Sequence, residues 1–336
     1  MTPLRAGLLA AGLLALVGTA ALPAQEKKEQ PKKKERIAIN EPKDAAKDPD
    51  FAIQGEYEGK SPAGEKVGVQ VIAQGLGKFA VKAYKGGLPG DGADPKDTLT
   101  GTAETKDGKT TATMKLGAET STATIGNGAF VVDVGDKKIE LKRVERKSKT
   151  LGEKPPQGAV VLFGAEGDEK NWDGGKLVEL SDGKFLNMGI KSKQKFGAFK
   201  AHVEFRLPWM PNSTGQGRAN SGVYLQDRYE LQVLDSFGLS GENNECGGIY
   251  QQYKPLVNMC YPPMVWQTYD IEFTPAEFDQ AGKKTKAARA TIYHNGVKIH
   301  DNIEFKGPTG GGQKEEATPG PFQLQNHGDP LVYRNA

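Results

Sequence analysis

The stretch 219–236, ANSGVYLQDRYELQVLDS, alternates apolar and polar residues along two short runs. Val223 and Leu225 fall on one face of the first run, and Leu231 and Val233 fall on one face of the second. Such alternation is typical of strands that have one face in a hydrophobic core. The stretch therefore predicts two half-buried β-strands, whose polar residues either meet water or line a cleft.

The same period of two recurs through residues 157–336. It is clear in FKAHVEFRL (199–207), in WQTYDIEF (266–273) and in PFQLQNH (321–327). Successive half-buried strands are what two stacked antiparallel sheets require. With 43 Gly and 20 Pro residues available for turns, this pattern predicts an all-β protein that ends in a jelly-roll β-sandwich.

A smaller β domain, residues 51–145, precedes the predicted sandwich. Its short β-like runs are separated by Gly-rich turns such as GGLPGDG (86–92) and IGNGAF (125–130). We expect a small antiparallel sandwich or barrel, and we interpret it as an accessory module because it contains no obvious catalytic cluster. The pair Pro155-Pro156 indicates an extended linker between the two domains.

The N-terminal residues have the features of an export signal. Arg5 precedes an apolar run at 6–21 and small residues follow, so residues 1–24 are predicted to be a signal peptide, with a retained N-terminal anchor as the alternative. Residues 25–50 are dense in Lys and Glu, and we expect a disordered linker there. No second apolar run is long enough to span a membrane. We therefore expect a periplasmic or extracellular protein.

The charge balance argues against one class of partner. The 336 residues include 45 Lys and Arg against 42 Asp and Glu. A nucleic-acid-binding protein would normally show a clustered basic face, and none is evident. We expect a small-molecule or oligosaccharide partner instead.

The chain has two cysteines, Cys246 and Cys260. An exported protein meets an oxidising compartment, so we predict a disulfide between them. Two buried free thiols are the alternative. A metal site at these cysteines is disfavoured because no histidines cluster around them.

Several motifs of the C-terminal domain carry a family resemblance. ANSGVYLQDRYELQVLDSFG, CGGIYQQYKPLVNMCYPP, WQTYDIEF, HNGVKIHD and GPFQLQNHGDPLVYRN resemble, in this order, the 3-keto-disaccharide hydrolase family, formerly a domain of unknown function. The resemblance covers residues 157–335 and implies a fold like that of concanavalin A-type lectins and glucanases. Family members continue after the Arg-Asn pair with an apolar stretch, whereas this sequence stops at Ala336. We therefore expect either a short final strand or a truncated sequence.

The resemblance implies a particular substrate and reaction. The substrate is a sugar whose C3 hydroxyl has been oxidised to a ketone, which acidifies the hydrogen on C2. A base removes that hydrogen, the anomeric substituent leaves by elimination, and addition of water completes a net hydrolysis. Such a site needs a base and a group that stabilises the enolate oxygen.

Glu230 is the best candidate base. The pattern alone allows a solvated glutamate on an outer sheet equally well, and the resemblance favours the site. An ordinary glycosidase needs two carboxylates, but the next position on the same face is Gln232, which suits sugar hydroxyls instead. Another strand could still supply the second carboxylate. His327 is expected to act as an acid, an enolate stabiliser or a metal ligand, and the alternative is a histidine that holds a turn.

The remaining candidates have weaker support. Arg228 could stabilise the enolate, with surface pairing as the alternative. Asp235 either enters the cleft as a catalytic acid or is buried and hydrogen-bonded. Tyr250 and Trp266 are stacking platforms for a sugar or core aromatics. Further candidate substrate-binding residues are Asn220, Gln325 and Arg334.

Cofactor and function retain alternatives at this point. No spacing motif requires a cofactor, although Glu230, Asp235 and His327 would suit calcium, manganese or zinc. The resemblance favours an exported enzyme that cleaves 3-keto-glycosides. A non-catalytic, lectin-like carbohydrate-binding protein of the cell envelope is the main alternative, and a structural or adhesion protein is a third.

Overall fold

The computed structural model describes residues 36–116, 119–134 and 137–336. In these ranges the chain is almost entirely β, as predicted from its alternating pattern. The described residues all belong to one compact unit. No helix in the described ranges is long and apolar enough to cross a membrane.

The smaller domain is a closed barrel of eight antiparallel strands, each paired with the next and the last with the first. The strands are β1 (Gly55–Lys60), β2 (Lys66–Gly75), β3 (Lys78–Lys85), β4 (Thr98–Lys106), β5 (Lys109–Leu116), β6 (Glu119–Gly126), β7 (Ala129–Val134) and β8 (Lys137–Val144). Alternate side chains such as Tyr57, Val71, Phe79 and Phe130 fill its interior. Closure leaves no unpaired sheet edge, which suits strands this short.

The segment before the barrel differs from the expected disordered linker. Residues 36–50 are ordered and include α1 (Pro42–Ala45) and the start of α2 (Pro49–Ile53). Asp48 caps α2 by accepting from Asp50 N, and its other oxygen accepts from Trp209 Nε1 at 2.9 Å. Charged residues here bind specific partners instead of water, which their density alone does not reveal. Residues 25–35 and the predicted signal peptide 1–24 lie outside the described residues.

Fourteen strands of the described chain build the C-terminal domain. They are β9 (Trp172–Asp173), β10 (Leu177–Leu180), β11 (Gly183–Leu186), β12 (Ile190–Phe196), β13 (Phe199–Arg206), β14 (Ser221–Leu225), β15 (Tyr229–Val233), β16 (Trp266–Thr274), β17 (Glu277–Phe278), β18 (Lys284–Lys286), β19 (Arg289–His294), β20 (Val297–Glu304), β21 (Gly320–Leu324) and β22 (Val332–Arg334).

Two sheets stack to form the predicted sandwich. One has seven strands in the order β10-β11-β22-β13-β16-β19-β20, and the other has five in the order β15-β14-β21-β12-β9. Strands β17 and β18 form a separate ribbon. Buried side chains of both sheets, including Val223, Leu231, Phe205 and Ile271, form one core between them. The last strand, β22, has only three residues and pairs with Glu204–Arg206 of β13.

The barrel and the sandwich share buried contacts. Trp209 of the sandwich domain belongs to the barrel's hydrophobic core and packs edge-on against Phe51, with 5.2 Å between ring centroids. Arg218 donates to the carbonyl of Ala73 in β2 at 3.0 Å and pairs with the buried Asp235. These contacts hold the accessory domain against the loops that precede β14 and follow β15.

Candidate active site

The polar residues of the stretch 219–236 lie on the outer face of the five-stranded sheet. Strands β14 and β15 form a hairpin in which Tyr224 faces Glu230 and Gly222 faces Gln232. Because side chains alternate along a strand, Val223 and Leu231 enter the core while these residues point away from it. On the other side of β14, Gln325 N donates to Gly222 O at 2.8 Å, which brings a second glutamine beside the hairpin.

Glu230 is buried although it points away from the core. It is only 3% exposed, and its carboxylate lies over Gly222, where an added Cβ would be 2.4 Å from Glu230 Oε1. A glycine is therefore required at 222 for space and not for its backbone angles. Burial raises the pKa of Glu230 to about 7, and a hydrogen bond from Tyr224 opposes that rise.

Tyr224 allows Glu230 to be satisfied in both protonation states. Its hydroxyl lies 2.9 Å from Glu230 Oε2 and 2.7 Å from the carbonyl of Gly310. The ionised carboxylate accepts the phenolic proton, whereas a protonated carboxyl can donate to the phenol, which then donates to Gly310. Burial raises the pKa of Tyr224 above its usual range, so the phenol keeps its proton. The pair can therefore take up and release a proton without leaving a buried group unpaired.

Amide side chains surround the carboxyl. With its amide oriented to match its neighbours, Gln232 donates to Glu230 Oε1 at 3.1 Å and to Ser221 O at 2.9 Å. Gln325 Nε2 donates to the Tyr224 hydroxyl at 3.1 Å. Within the described ranges, Gln325 Oε1 and Asn220 Oδ1 are buried acceptors without a partner. An unsatisfied buried acceptor costs about 1–3 kcal/mol, a cost that a hydroxyl donor would remove.

Three loops form a roof over this face. Gln216 reaches in from the first loop, and its Oε1 lies 3.2 Å from Asn220 Nδ2. Tyr250, on the second loop, donates its backbone N–H to Glu230 O at 3.1 Å and keeps a half-buried ring. On the third, Thr309 Oγ1 accepts from Glu230 N at 2.8 Å. The predicted residues Glu230, Gln232, Asn220, Gln325 and Tyr250 therefore meet in one place.

Two predicted catalytic residues have structural partners instead. Arg228 is buried and donates to the carbonyls of Lys314 and Thr318, so it anchors the third roof loop. Asp235 is 3% exposed and pairs with Arg218 at the junction with the barrel. Asp235 pairs with a buried opposite charge and Arg228 binds two loop carbonyls, which explains why neither side chain lines the site.

Trp266 and Arg334 do not belong to the site around Glu230. Both lie on the outer face of the seven-stranded sheet, because β16 and β22 belong to that sheet. The Arg334 guanidinium stacks on the Trp266 ring at 4.0 Å and donates to the fully buried Glu204 at 2.6 Å. The structure therefore does not bring these two residues together with Glu230, and their substrate-binding role stays a prediction.

His327 follows β21 and is exposed. Its side chain makes no hydrogen bond with any residue that the structure describes, so no hydrogen bond links it to Glu230 or Tyr224. A joint role of His327 and Glu230 stays a prediction. The three residues named as possible metal ligands do not assemble, because Asp235 is paired with Arg218. No group of three or more His, Cys, Asp or Glu residues suited to a metal ion occurs in the described ranges.

The predicted disulfide is absent from the structure. Cys246 and Cys260 are both buried free thiols. Cys246 Sγ lies 3.2 Å from the Tyr269 hydroxyl, and Cys260 Sγ lies 3.5 Å from the carbonyl of Leu234. The thiols pack as small core groups with weak hydrogen bonds, a role that a compartment-based argument does not consider.

Sequence reasoning assigned no site role to Tyr224, Gly222 or Gln216. The signal for the first two was present in the hairpin register, because Glu230 and Gln232 face Tyr224 and Gly222 once the turn is centred on Asp227. Gln216 comes from a loop fourteen residues before Glu230, and nothing in the local pattern indicates that its side chain reaches Asn220.

A family model described as the 3-keto-alpha-glucoside-1,2-lyase-like domain matches residues 158–336. A candidate glycosyl hydrolase from Parabacteroides distasonis, solved at 2.13 Å, is 32% identical, with 53% of this chain and 82% of that chain covered and a TM-score of 0.46. A second from the same organism is 16% identical over 44% of this chain and 71% of that chain, with a TM-score of 0.31.

No protein of curated function matches the chain. The family match nevertheless spans more than half of the sequence and contains every residue of the cluster around Glu230. The chain therefore belongs to the 3-keto-alpha-glucoside-1,2-lyase-like, or 3-keto-disaccharide hydrolase, family of carbohydrate-active, glycoside hydrolase-like enzymes.

Proposed function

We propose that the protein cleaves glycosides whose sugar carries a ketone at C3, with Glu230 as the base that removes the C2 proton. The observation that carries this proposal is the state of Glu230 itself. Its carboxyl is buried, its pKa is raised to about 7, and the Tyr224 hydroxyl can satisfy it with or without a proton. A base that titrates near neutrality is well matched to proton abstraction at neutral pH.

The neighbours of Glu230 argue against an ordinary two-carboxylate glycosidase. The side chain opposite Glu230 is Tyr224, and the next outward position on its own strand is Gln232. Neither can act as the second carboxylate that direct displacement at C1 requires. One base among neutral donors instead suits a reaction that begins at C2.

One base and neutral hydrogen-bond donors are sufficient for every step of the reaction. Glu230 takes the proton from C2, and the electron pair moves to the C3 oxygen as an enolate. When the enolate collapses to the ketone, a C1–C2 double bond forms and the C1–O bond to the aglycone breaks. The leaving oxygen takes up a proton, and water added across the double bond gives the product of net hydrolysis. The Tyr224 hydroxyl and the Gln232 and Gln325 amides are the donors near the developing oxyanion.

The test compares a 3-keto-glucoside with its unoxidised parent. We expect wild type to turn over only the keto sugar and the Glu230→Gln variant to lose at least about a hundredfold in kcat, as is typical for removal of a general base. Glu272→Gln is the matched control, because Glu272 is an exposed strand glutamate on the other sheet. Retained turnover in Glu230→Gln would refute the proposal. Binding of the keto sugar without turnover by wild type would favour the lectin-like alternative.

We also propose that the protein is exported to the periplasm or beyond. Arg5, the apolar run at 6–21 and the small residues after it support this. N-terminal sequencing of protein from the native host should find a mature start just after Ala21 or Ala24. An intact residue 1 in protein recovered from the cytoplasm would contradict it.

A further inference from the structure

A row of outward-facing side chains continues from Glu230 across the whole five-stranded sheet. Tyr224 faces Glu230 on β15, Gln323 of β21 faces Tyr224, Lys191 of β12 faces Gln323, and Asp173 of β9 faces Lys191. Paired residues of antiparallel strands point to the same side of a sheet, so all five side chains share the outer face.

The burial of this row changes from one end to the other. Glu230 and Tyr224 are 3% and 1% exposed, Gln323 and Lys191 are half-buried, and Asp173 is exposed. With strands about 4.8 Å apart, Gln323 and Lys191 lie about 5 and 10 Å from Tyr224 across the sheet. The row is therefore covered at the Glu230 end and exposed towards β9, and we call this row the trough. A substrate ring at Glu230 would leave its attached group over Gln323 and Lys191.

The open half of the trough contains polar atoms that have no hydrogen-bond partner among the described residues. Gln323 makes no side-chain hydrogen bond with any described residue. Lys191 Nζ binds Asp227 Oδ2 at 2.6 Å. Asp227 is 6% exposed, and its Oδ1 is a buried acceptor without a partner in the part of the chain that the structure describes. A buried carboxylate oxygen without a donor requires an explanation, and a donor group of a ligand beside the turn would satisfy it.

The turn that carries Asp227 is held in an unfavourable backbone conformation. Gln226 and Asp227 have φ of 53° and 59°, a left-handed geometry that favours glycine. Glycine would relieve the strain, but it would remove the carboxylate that faces Lys191 and the Gln226 amide that donates to Phe196 O at 2.7 Å. Both side chains therefore make contacts that glycine could not make, and the turn holds them beside the trough.

We propose that Gln323, Lys191 and Asp227 form a second subsite, which holds the group attached to C1 of the 3-keto sugar. The subsite offers an amide, an ammonium and a carboxylate, and none of the described residues that form the open half of the row is aromatic. It therefore fits a hydroxyl-rich group such as a second sugar ring better than an aromatic or alkyl aglycone. This inference rests on the proposed function, which places the 3-keto ring at Glu230.

The test uses two substrates with the same 3-keto-glucosyl ring, one bearing a second sugar at C1 and one bearing a methyl group. Gln323→Leu and Lys191→Met should each lower kcat/KM for the disaccharide about tenfold, mainly through KM, which corresponds to the loss of one hydrogen bond. The methyl glycoside should change less than about twofold. Controls are Gln194→Leu, an exposed glutamine on β12, and Lys200→Met, an exposed lysine paired with Glu272 on the other sheet.

Equal losses on both substrates, or no loss on either, would overturn the subsite. Equilibrium binding of the two sugars, measured by calorimetry, separates this failure from failure of the proposed function. If wild type turns over neither sugar, the proposed function fails. The subsite then stands if Gln323→Leu weakens binding of the disaccharide about tenfold relative to the methyl glycoside, and falls if the two affinities change alike.

Discussion

Ionisation of Glu230 should destabilise the fold, and Glu230→Gln should remove that effect. The pKa of this carboxyl is about 7 in the folded protein and 4.5 when unperturbed. The folded chain therefore holds the proton more tightly than the unfolded chain. Stability from this group is fully present below about pH 4.5 and is lost as the pH rises through 7. At about 1.4 kcal/mol for each pH unit between the two values, the loss amounts to about 3 kcal/mol.

Urea unfolding of wild type and Glu230→Gln at about pH 4 and pH 9 measures this effect. The free energy of unfolding of the variant, relative to wild type, should increase by about 3 kcal/mol between the two pH values. All other titrating groups are common to both proteins and cancel in the difference. Glu272→Gln should give a nearly constant difference, since Glu272 is exposed. A difference for Glu230→Gln that does not change with pH would show an ordinary carboxyl and remove the basis for the proposed base.

Three further substitutions test the surroundings of Glu230. Gly222→Ala should lower activity at least about tenfold, because the added methyl would lie 2.4 Å from Glu230 Oε1. Gly197→Ala is the control, because a methyl there meets nothing within 4 Å. Similar activities of the two variants would count against this packing. Tyr224→Phe should move the acidic limb of the pH–rate profile up by about one pH unit, since it removes a hydrogen bond that lowers the pKa of Glu230. An unmoved limb would show that Tyr224 does not influence the ionisation of the base. Asp235→Ala should reduce the free energy of unfolding by about 3 kcal/mol in urea, because it leaves a buried guanidinium unpaired, and a loss below about 1 kcal/mol would contradict the buried pair.

Local alternation was enough to predict the strands and the orientation of Glu230. Strands β14 (Ser221–Leu225) and β15 (Tyr229–Val233) lie in the two runs that the stretch 219–236 predicts. The period of two also separated core residues from the outward set that contains Glu230 and Gln232. This worked because the direction of a side chain in a strand depends only on its position along the strand.

The same reasoning failed where a side chain's partner comes from a distant part of the chain. Arg228 was predicted to be catalytic, but loop residues about ninety positions later supply the carbonyls it binds. Trp266 lies on a strand with the expected alternation, yet that strand belongs to the other sheet. Alternation along a strand shows which residues share a face of that strand. It does not show to which sheet the strand belongs.

The sequence by itself determined that this chain is a β protein, which of its residues face a core, and that its C-terminal half carries the motifs of a sugar-active family. Only the tertiary structure decided which outward faces meet, because strand order and loop closure depend on contacts between residues far apart in the chain. The roof from Gln216, Tyr250 and Thr309 buries Glu230, and that burial raises its pKa. Desolvation is a property of the assembled fold, so no local pattern could have shown it.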